Sequence, residues 1–218
     1  MIHNFTNHVV LASRSPRRRE LLEQIGVVHG SVAAEINETR APDESAVAYI
    51  ERMVGQKAQA AFAVLQSMPA GVTLDGVDKL VITADTIGVL ATGQVLQKPT
   101  DFADACAMWQ AMSGNTHQVW TAVQVTRVGA SDANAAMQIR YQQHAIVKTD
   151  VEFITLNHDD MAAYWATGEP QDKAGGYAIQ GIGAAWVRAI NGSYTNVVGL
   201  PLVETLALLR AADGLIAR

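Results

Sequence analysis

Cysteine is nearly absent from this chain of 218 residues: Cys106 stands alone, which excludes an intramolecular disulfide. Phe102, Ala105, Trp109 and Met112 flank it at helical spacing, so it belongs to a packed helix face rather than to a reactive site. Long apolar runs are absent too. The uncharged stretch 105–126 is interrupted by Gln110, Ser113, Gly114, Asn115, Thr116, His117 and Gln118, which removes a membrane reading. Met1 to His8 lack the basic flank and apolar core of a signal peptide, so a cytoplasmic protein is expected. There is no excess of positive charge. The formal net charge is −5, which argues against a general nucleic-acid coat. His3, His8, His29, His117, His144 and His158 are scattered without metal-site spacing. No Gly-X-Ser-X-Gly elbow, Walker loop or dinucleotide fingerprint occurs, and neither does an internal repeat.

What is present fits one well-packed domain over 1–218. Apolar residues make up 49% and charged residues 17%, which argues against disorder. A first strand over 8–12 feeds a helix over 16–25 that stops at Gly26. Segment 27–37 shows no clear period, and 38–44 is acidic and turn-like. Ser45 opens a long helix to about Gln66 with the apolar stripe Val47, Ile50, Val54, Ala61 and Leu65, and Lys57 sits within that stripe. After a loop at 67–79, an apolar strand 80–84 ends on Asp85-Thr86. A further strand turns at Ala91–Gln94 into a hairpin ending at Leu96. A helix over 101–112 follows, with Asp101 near its start. Strands near 117–128 and 141–155 then flank an Ala/Ser/Asn-rich loop at 129–137. Ala145, Val147, Thr149, Val151 and Phe153 share one face by alternation. Asn157 caps a helix with Asp159 and Asp160 in its first turn, which stops at Gly168. A glycine-rich stretch at 175–183, a strand near 184–190 and a helix opened by Pro201 complete the chain. Intermingled strands and helices give an α/β fold class.

The densest chemistry lies at Leu11-Ala12-Ser13-Arg14-Ser15-Pro16-Arg17-Arg18-Arg19. Ser15 reads as an N-cap and Pro16 as the first helical residue. Cations in a first helical turn oppose the helix dipole by about 0.3–1 kcal/mol each when exposed. Arg17, Arg18 and Arg19 there suit a bound phosphate, or else form a solvated basic turn. Lys57 either snorkels to water or points at something anionic. Asp85, at the carboxyl end of an apolar strand, can ligate a hard cation, accept a proton from water, or simply form a turn. Lys98 is pinned by Pro99, and Gln180 offers an amide able to read a base edge. Acidic residues with Lys and Arg are the kit for metal-assisted phosphoryl chemistry.

Taken in order, these patches resemble the Maf family of nucleotide pyrophosphatases. The anchors are Leu11 to Arg18, Glu38, Lys57, Ala84-Asp85-Thr86, Lys98-Pro99 and Ser113-Gly114 to His117. Asp172-Lys173-Ala174-Gly175-Gly176-Tyr177-Ala178-Ile179-Gln180-Gly181 and Asn196 to Leu202 complete the set. The resemblance implies hydrolysis of a nucleoside triphosphate to the monophosphate and pyrophosphate with a divalent cation, Mg²⁺ or Mn²⁺. It implies a two-lobed fold around a mixed sheet and a central cleft, similar to inosine triphosphate pyrophosphatases and often homodimeric. The proton acceptor falls on Asp85, the second acid and metal contact on Glu38, and the cleft lysines on Lys57 and Lys98. The phosphate-binding turn falls on Ser13, Ser15, Arg17 and Arg18. The Asp-Lys-Ala-Gly…Ile-Gln-Gly run fits the branch acting on dTTP and UTP, whose specificity positions fall on Arg17, Thr86 and Gln180. The alternatives are the 7-methyl-GTP branch and a non-catalytic regulator of septum formation. Ala178, Gly176, Asn37 and Gly88 depart from the family pattern, Asn37 replacing an acid and Gly88 interrupting a β-branched run.

Overall fold

Strand β1 (His8–Ala12) pairs in parallel on both sides, Val9 opposite His29 of β2 (His29–Val32) and Val10 opposite Val81 of β3 (Lys79–Val89). A strand with two neighbours gains from apolar residues on both faces, and Val9 to Ala12 are all buried. The computed structural model describes residues 3–68, 78–130 and 135–214. Their sheet has the order β2-β1-β3-β5-β6-β7, where β5 is Thr116–Gly129, β6 is Gln138–Phe153 and β7 is Val187–Asn191. The short β4 (Val95–Leu96) pairs antiparallel with β3, which confirms the hairpin. Parallel and antiparallel pairs coexist, so the sheet is mixed and the α/β class holds.

Helices α1 (Pro16–Gln24), α2 (Ala46–Ser67), α3 (Phe102–Met112), α4 (His158–Ala166), α5 (Tyr194–Val198) and α6 (Leu202–Asp213) accompany the strands. None among the described residues is long and apolar enough to cross a membrane. Three starts follow from caps. Ser45 Oγ accepts from Ala48 N at 3.1 Å, Asp101 from Asp104 N at 2.8 Å and Asn157 from Asp160 N at 2.8 Å. Gly26, at φ 73°, ends α1 in a conformation that favours glycine.

The chain divides into two units. One contains the described residues of Met1–Asp85, Ala122–Ile146 and Leu200–Arg218, the other those of Thr86–Thr121 and Val147–Gly199. Strands β3, β5 and β6 each pass from one unit into the other. In the first unit, Ala12, Ala61, Leu65, Val81 and Val128 form a core layer between α2 and the sheet. In the second, the core is aromatic. The Trp109 ring meets Trp186 edge-on at 5.1 Å and Tyr164 at 5.6 Å, and Phe153 meets Tyr177 at 4.8 Å. Cys106 is buried in this core, as its helical neighbours predict. His117, 1% exposed, also lies there, with its Nε2 2.9 Å from the Tyr177 hydroxyl.

Several local expectations need correction. Strand β3 does not end at Asp85 but runs unbroken to Val89, because Ile87, Gly88 and Val89 are buried and Gly88 and Val89 pair with β4. Val47 is exposed; the buried row of α2 is Tyr49, Met53, Ala61 and Leu65, with Ile50, Val54 and Ala58 beside it. Segment 27–37 contains β2. The strand expected near 184–190 is β7, preceded by a 3-10 turn at Ile182–Trp186. Much of the 67–79 loop and of the 129–137 loop falls outside the described residues. Gly88 faces Leu96 across the hairpin, where an added Cβ would lie 3.0 Å from the leucine side chain.

Candidate active site

Lys57 joins the two acids. It lies four residues beyond Met53 on the inward row of α2, and its side chain is 12% exposed. An ammonium in such a place needs anionic partners, since desolvation without pairing costs on the order of several kcal/mol. The partners are Glu38, at 2.8 Å, and Asp85, in direct contact. Lys57 therefore does not snorkel. Asp85 is 13% exposed and reaches Lys57 from β3, whereas the Glu38 side chain is 49% exposed and comes from the irregular segment before α2.

The turn after β1 belongs to the same unit. Ser13 Oγ accepts from Ser15 N at 3.2 Å and from Arg18 Nη1 at 3.3 Å, so Ser13 shapes the turn and holds an arginine. Ser15 occupies the N-cap position with Pro16 behind it, but its hydroxyl makes no capping bond among the described residues. Burial lowers the Arg18 pKa from its ordinary value; Asp85 and Glu38 oppose that shift and Arg17 adds to it. Arg18 thus stands within electrostatic reach of both acids. Arg17 is half-buried at the start of α1, while Arg14 turns outward to Glu35 at 2.6 Å.

Thr86, Lys98 and Gln180 belong to the other unit. Successive strand residues face opposite ways, so Asp85 meets α2 while Thr86 Oγ1 lies 2.9 Å from Thr121 Oγ1 of β5. Thr121 spends its single hydroxyl hydrogen on the Asn196 carbonyl at 2.9 Å. The hydrogen in the Thr86–Thr121 contact therefore comes from Thr86, and toward any further partner Thr86 accepts. Lys98 and Gln180 are exposed.

Sequence reasoning passes over the groups that hold this machinery. The Tyr49 hydroxyl donates to the Glu38 carbonyl at 2.8 Å. Arg52 forks onto Glu44 with two bonds of 2.7 Å and also donates to the Thr39 carbonyl at 3.1 Å. That guanidinium holds the Glu44 carboxyl down at about 2. Glu169 Oε1 accepts from the Tyr164 hydroxyl at 2.6 Å and from Gly183 N at 3.2 Å, and Oε2 from Ile182 N at 3.0 Å. Burial works against the Glu169 carboxylate, yet the Tyr164 hydroxyl and these amides prevail and its pKa is lowered. The segment carrying Gln180 is thereby anchored at its far end. A signal for Tyr49 exists in sequence, since it stands eight residues before Lys57 on the same i+4 row.

Glu38 and Asp85 supply hard oxygen donors that already converge on one cation, the Lys57 ammonium. Among the described residues no group of three His, Cys, Asp or Glu side chains is arranged to hold a metal. Two carboxylates suffice for Mg²⁺-like ions, which keep waters and take their remaining oxygens from phosphate. The donor set fits a divalent cation bound together with a phosphorylated substrate.

A family model described as Maf-like protein matches residues 8–212. A dTTP/UTP pyrophosphatase of Psychrobacter cryohalolentis is 48% identical over 216 residues, covering 93% of this chain and 96% of that protein. A dTTP/UTP pyrophosphatase of Escherichia coli O157:H7 is 47% identical over 199 residues, covering 91% of this chain and 90% of its own length. A match of this extent shows that the chain belongs to the Maf family.

Proposed function

We propose that this protein is a nucleoside triphosphate pyrophosphatase acting on dTTP and UTP, with 1–218 as one catalytic domain working in the cytoplasm. The observation that carries the reading is Lys57 held between Glu38 and Asp85, in a chain 48% identical to a dTTP/UTP pyrophosphatase. Glu38 and Asp85 hold a divalent cation, Mg²⁺ or Mn²⁺, which supplies positive charge against the triphosphate oxygens.

A triphosphate repels nucleophiles, so charge must be neutralised and a water aligned before attack. Asp85 takes a proton from the attacking water, whose oxygen bonds to the α-phosphorus. The bond from that phosphorus to the α–β bridging oxygen breaks, and pyrophosphate leaves with the electron pair. Arg17, Lys57 and Lys98 bind the β- and γ-phosphates and receive the charge as it moves onto pyrophosphate. Ser13, Ser15 and Arg18 shape the phosphate-binding turn, and Arg18 balances the acids. Gln180 and Thr86 face the base. The acceptor polarity of Thr86 supports a thymine or uracil, whose N3 carries a hydrogen where cytosine N3 carries a lone pair.

The test is pyrophosphate release from dTTP, UTP, CTP, dATP, GTP and 7-methyl-GTP, with Mg²⁺ or Mn²⁺, beside the Asp85→Asn variant. The expected outcome is turnover concentrated on dTTP and UTP, falling in Asp85→Asn by about 10²-fold or more with the fold retained. A variant turning over near the wild-type rate removes Asp85 from the mechanism. Preferential cleavage of 7-methyl-GTP overturns the base assignment and leaves the chemistry standing.

A further inference from the structure

Residues 33–45 lie outside helices and strands, yet Glu38 sits among them. A glutamate with a half-exposed side chain on irregular backbone is a poor cation ligand unless its main chain is fixed, because hard cations demand narrow oxygen geometry. Three contacts fix it. Asn37 Oδ1 accepts from Thr39 N at 2.9 Å, closing a turn across Glu38. The Tyr49 hydroxyl donates to the Glu38 carbonyl at 2.8 Å, and Arg52 donates to the Thr39 carbonyl at 3.1 Å. Tyr49, Arg52 and Lys57 all project from α2, so one rigid element holds both the Glu38 backbone and the ammonium that meets its carboxylate.

We propose that Tyr49 is a positioning residue for Glu38, setting the affinity of the site for a divalent cation through its hydrogen bond to the Glu38 main chain. The inference rests on the reading of Glu38 as a cation ligand. Tyr49 is 7% exposed, and its ring packs in the buried row of α2. Asn37, which stands where the family pattern has an acid, forms the turn around Glu38 through its own side chain.

The experiment compares wild type, Tyr49→Phe, Arg52→Gln and Glu38→Gln by Mn²⁺ binding to the complex with a non-hydrolysable dTTP analogue, read by electron paramagnetic resonance, and by the Mg²⁺ dependence of pyrophosphate release. Tyr49→Phe removes one oxygen and keeps the ring. Its Mn²⁺ dissociation constant and its half-activating Mg²⁺ concentration are expected to rise by about tenfold, the low end for loss of a group behind a metal ligand, with kcat at saturating Mg²⁺ held within about twofold. Arg52→Gln, which frees Thr39 through a different bond, is expected to move both in the same direction. A merely structural role would lower the melting temperature and leave both constants alone, and that result in Tyr49→Phe overturns the proposal. Unchanged Mn²⁺ affinity in Glu38→Gln refutes the ligand role itself, and the inference falls with it. Weakened binding in Glu38→Gln with unchanged binding in Tyr49→Phe refutes the positioning role alone.

Discussion

Lowering the pH should unfold this protein partly through one histidine. His117 is 1% exposed, its Nε2 meets the Tyr177 hydroxyl at 2.9 Å, and its Nδ1 is buried without a hydrogen-bond partner among the described residues. Phe153 and Tyr177 lie nearly perpendicular to the imidazole, with ring centroids at 4.9 and 5.5 Å, so the ring is enclosed in the aromatic core. Burial lowers the His117 pKa from 6.5 to about 4. Below 6.5 the unfolded chain takes up a proton that the native state refuses, so stability present at pH 8 drains away until the native pKa is reached. A shift of that size costs about 2 kcal/mol by pH 5 and about 3 kcal/mol by pH 4. Urea unfolding of wild type and His117→Gln at pH 8 and pH 5 isolates the effect, because glutamine keeps a hydrogen-bonding group near the tyrosine but does not titrate. Each protein serves as its own pH 8 reference, and the carboxylates common to both cancel. Wild type should lose about 2 kcal/mol more than the variant between the two pH values. Equal losses would show that His117 takes up its proton inside the fold, and the account of its burial would be wrong.

Two further substitutions probe the frame. Asn157→Ala removes the cap whose Oδ1 accepts from Asp160 N, and should cost about 1 kcal/mol in chemical denaturation without altering turnover. Gly183→Ala would place a Cβ 2.6 Å from the Tyr164 hydroxyl and 3.0 Å from the Ala178 carbonyl. It should destabilise by on the order of 1–3 kcal/mol, read in the same assay, and protease cleavage near 178–183 should become faster.

Helix starts are legible because a cap is local chemistry: Ser45, Asp101 and Asn157 each bond an amide three residues ahead. Ser15 shows where that logic stops. It holds the N-cap position, but the hydroxyl that shapes this turn belongs to Ser13, two residues earlier. Asp85 is legible as a candidate acid and misplaced as a strand end, since the pairing that carries β3 onward comes from β4, after the turn. Lys57 could not be settled from its own helix, because its fate depends on acids 19 residues earlier and 28 residues later in the chain. Tyr49 and Glu169 escape for the same reason. A tyrosine in an apolar stripe and a glutamate before a proline look ordinary until the carbonyl or amides they serve are brought to them by distant turns.

Gly88 looks like a loss when the chain is compared with the family pattern one position at a time, for a β-branched residue is replaced by nothing. Across the hairpin its partner Leu96 occupies the space, with Cδ1 3.0 Å from where a Cβ would stand. A side chain added at 88 would need Leu96 to give way by a few tenths of an ångström, so the two positions share one volume across the hairpin. Substitutions at 88 and 96 are therefore expected to be non-additive in stability, each changing what the other costs.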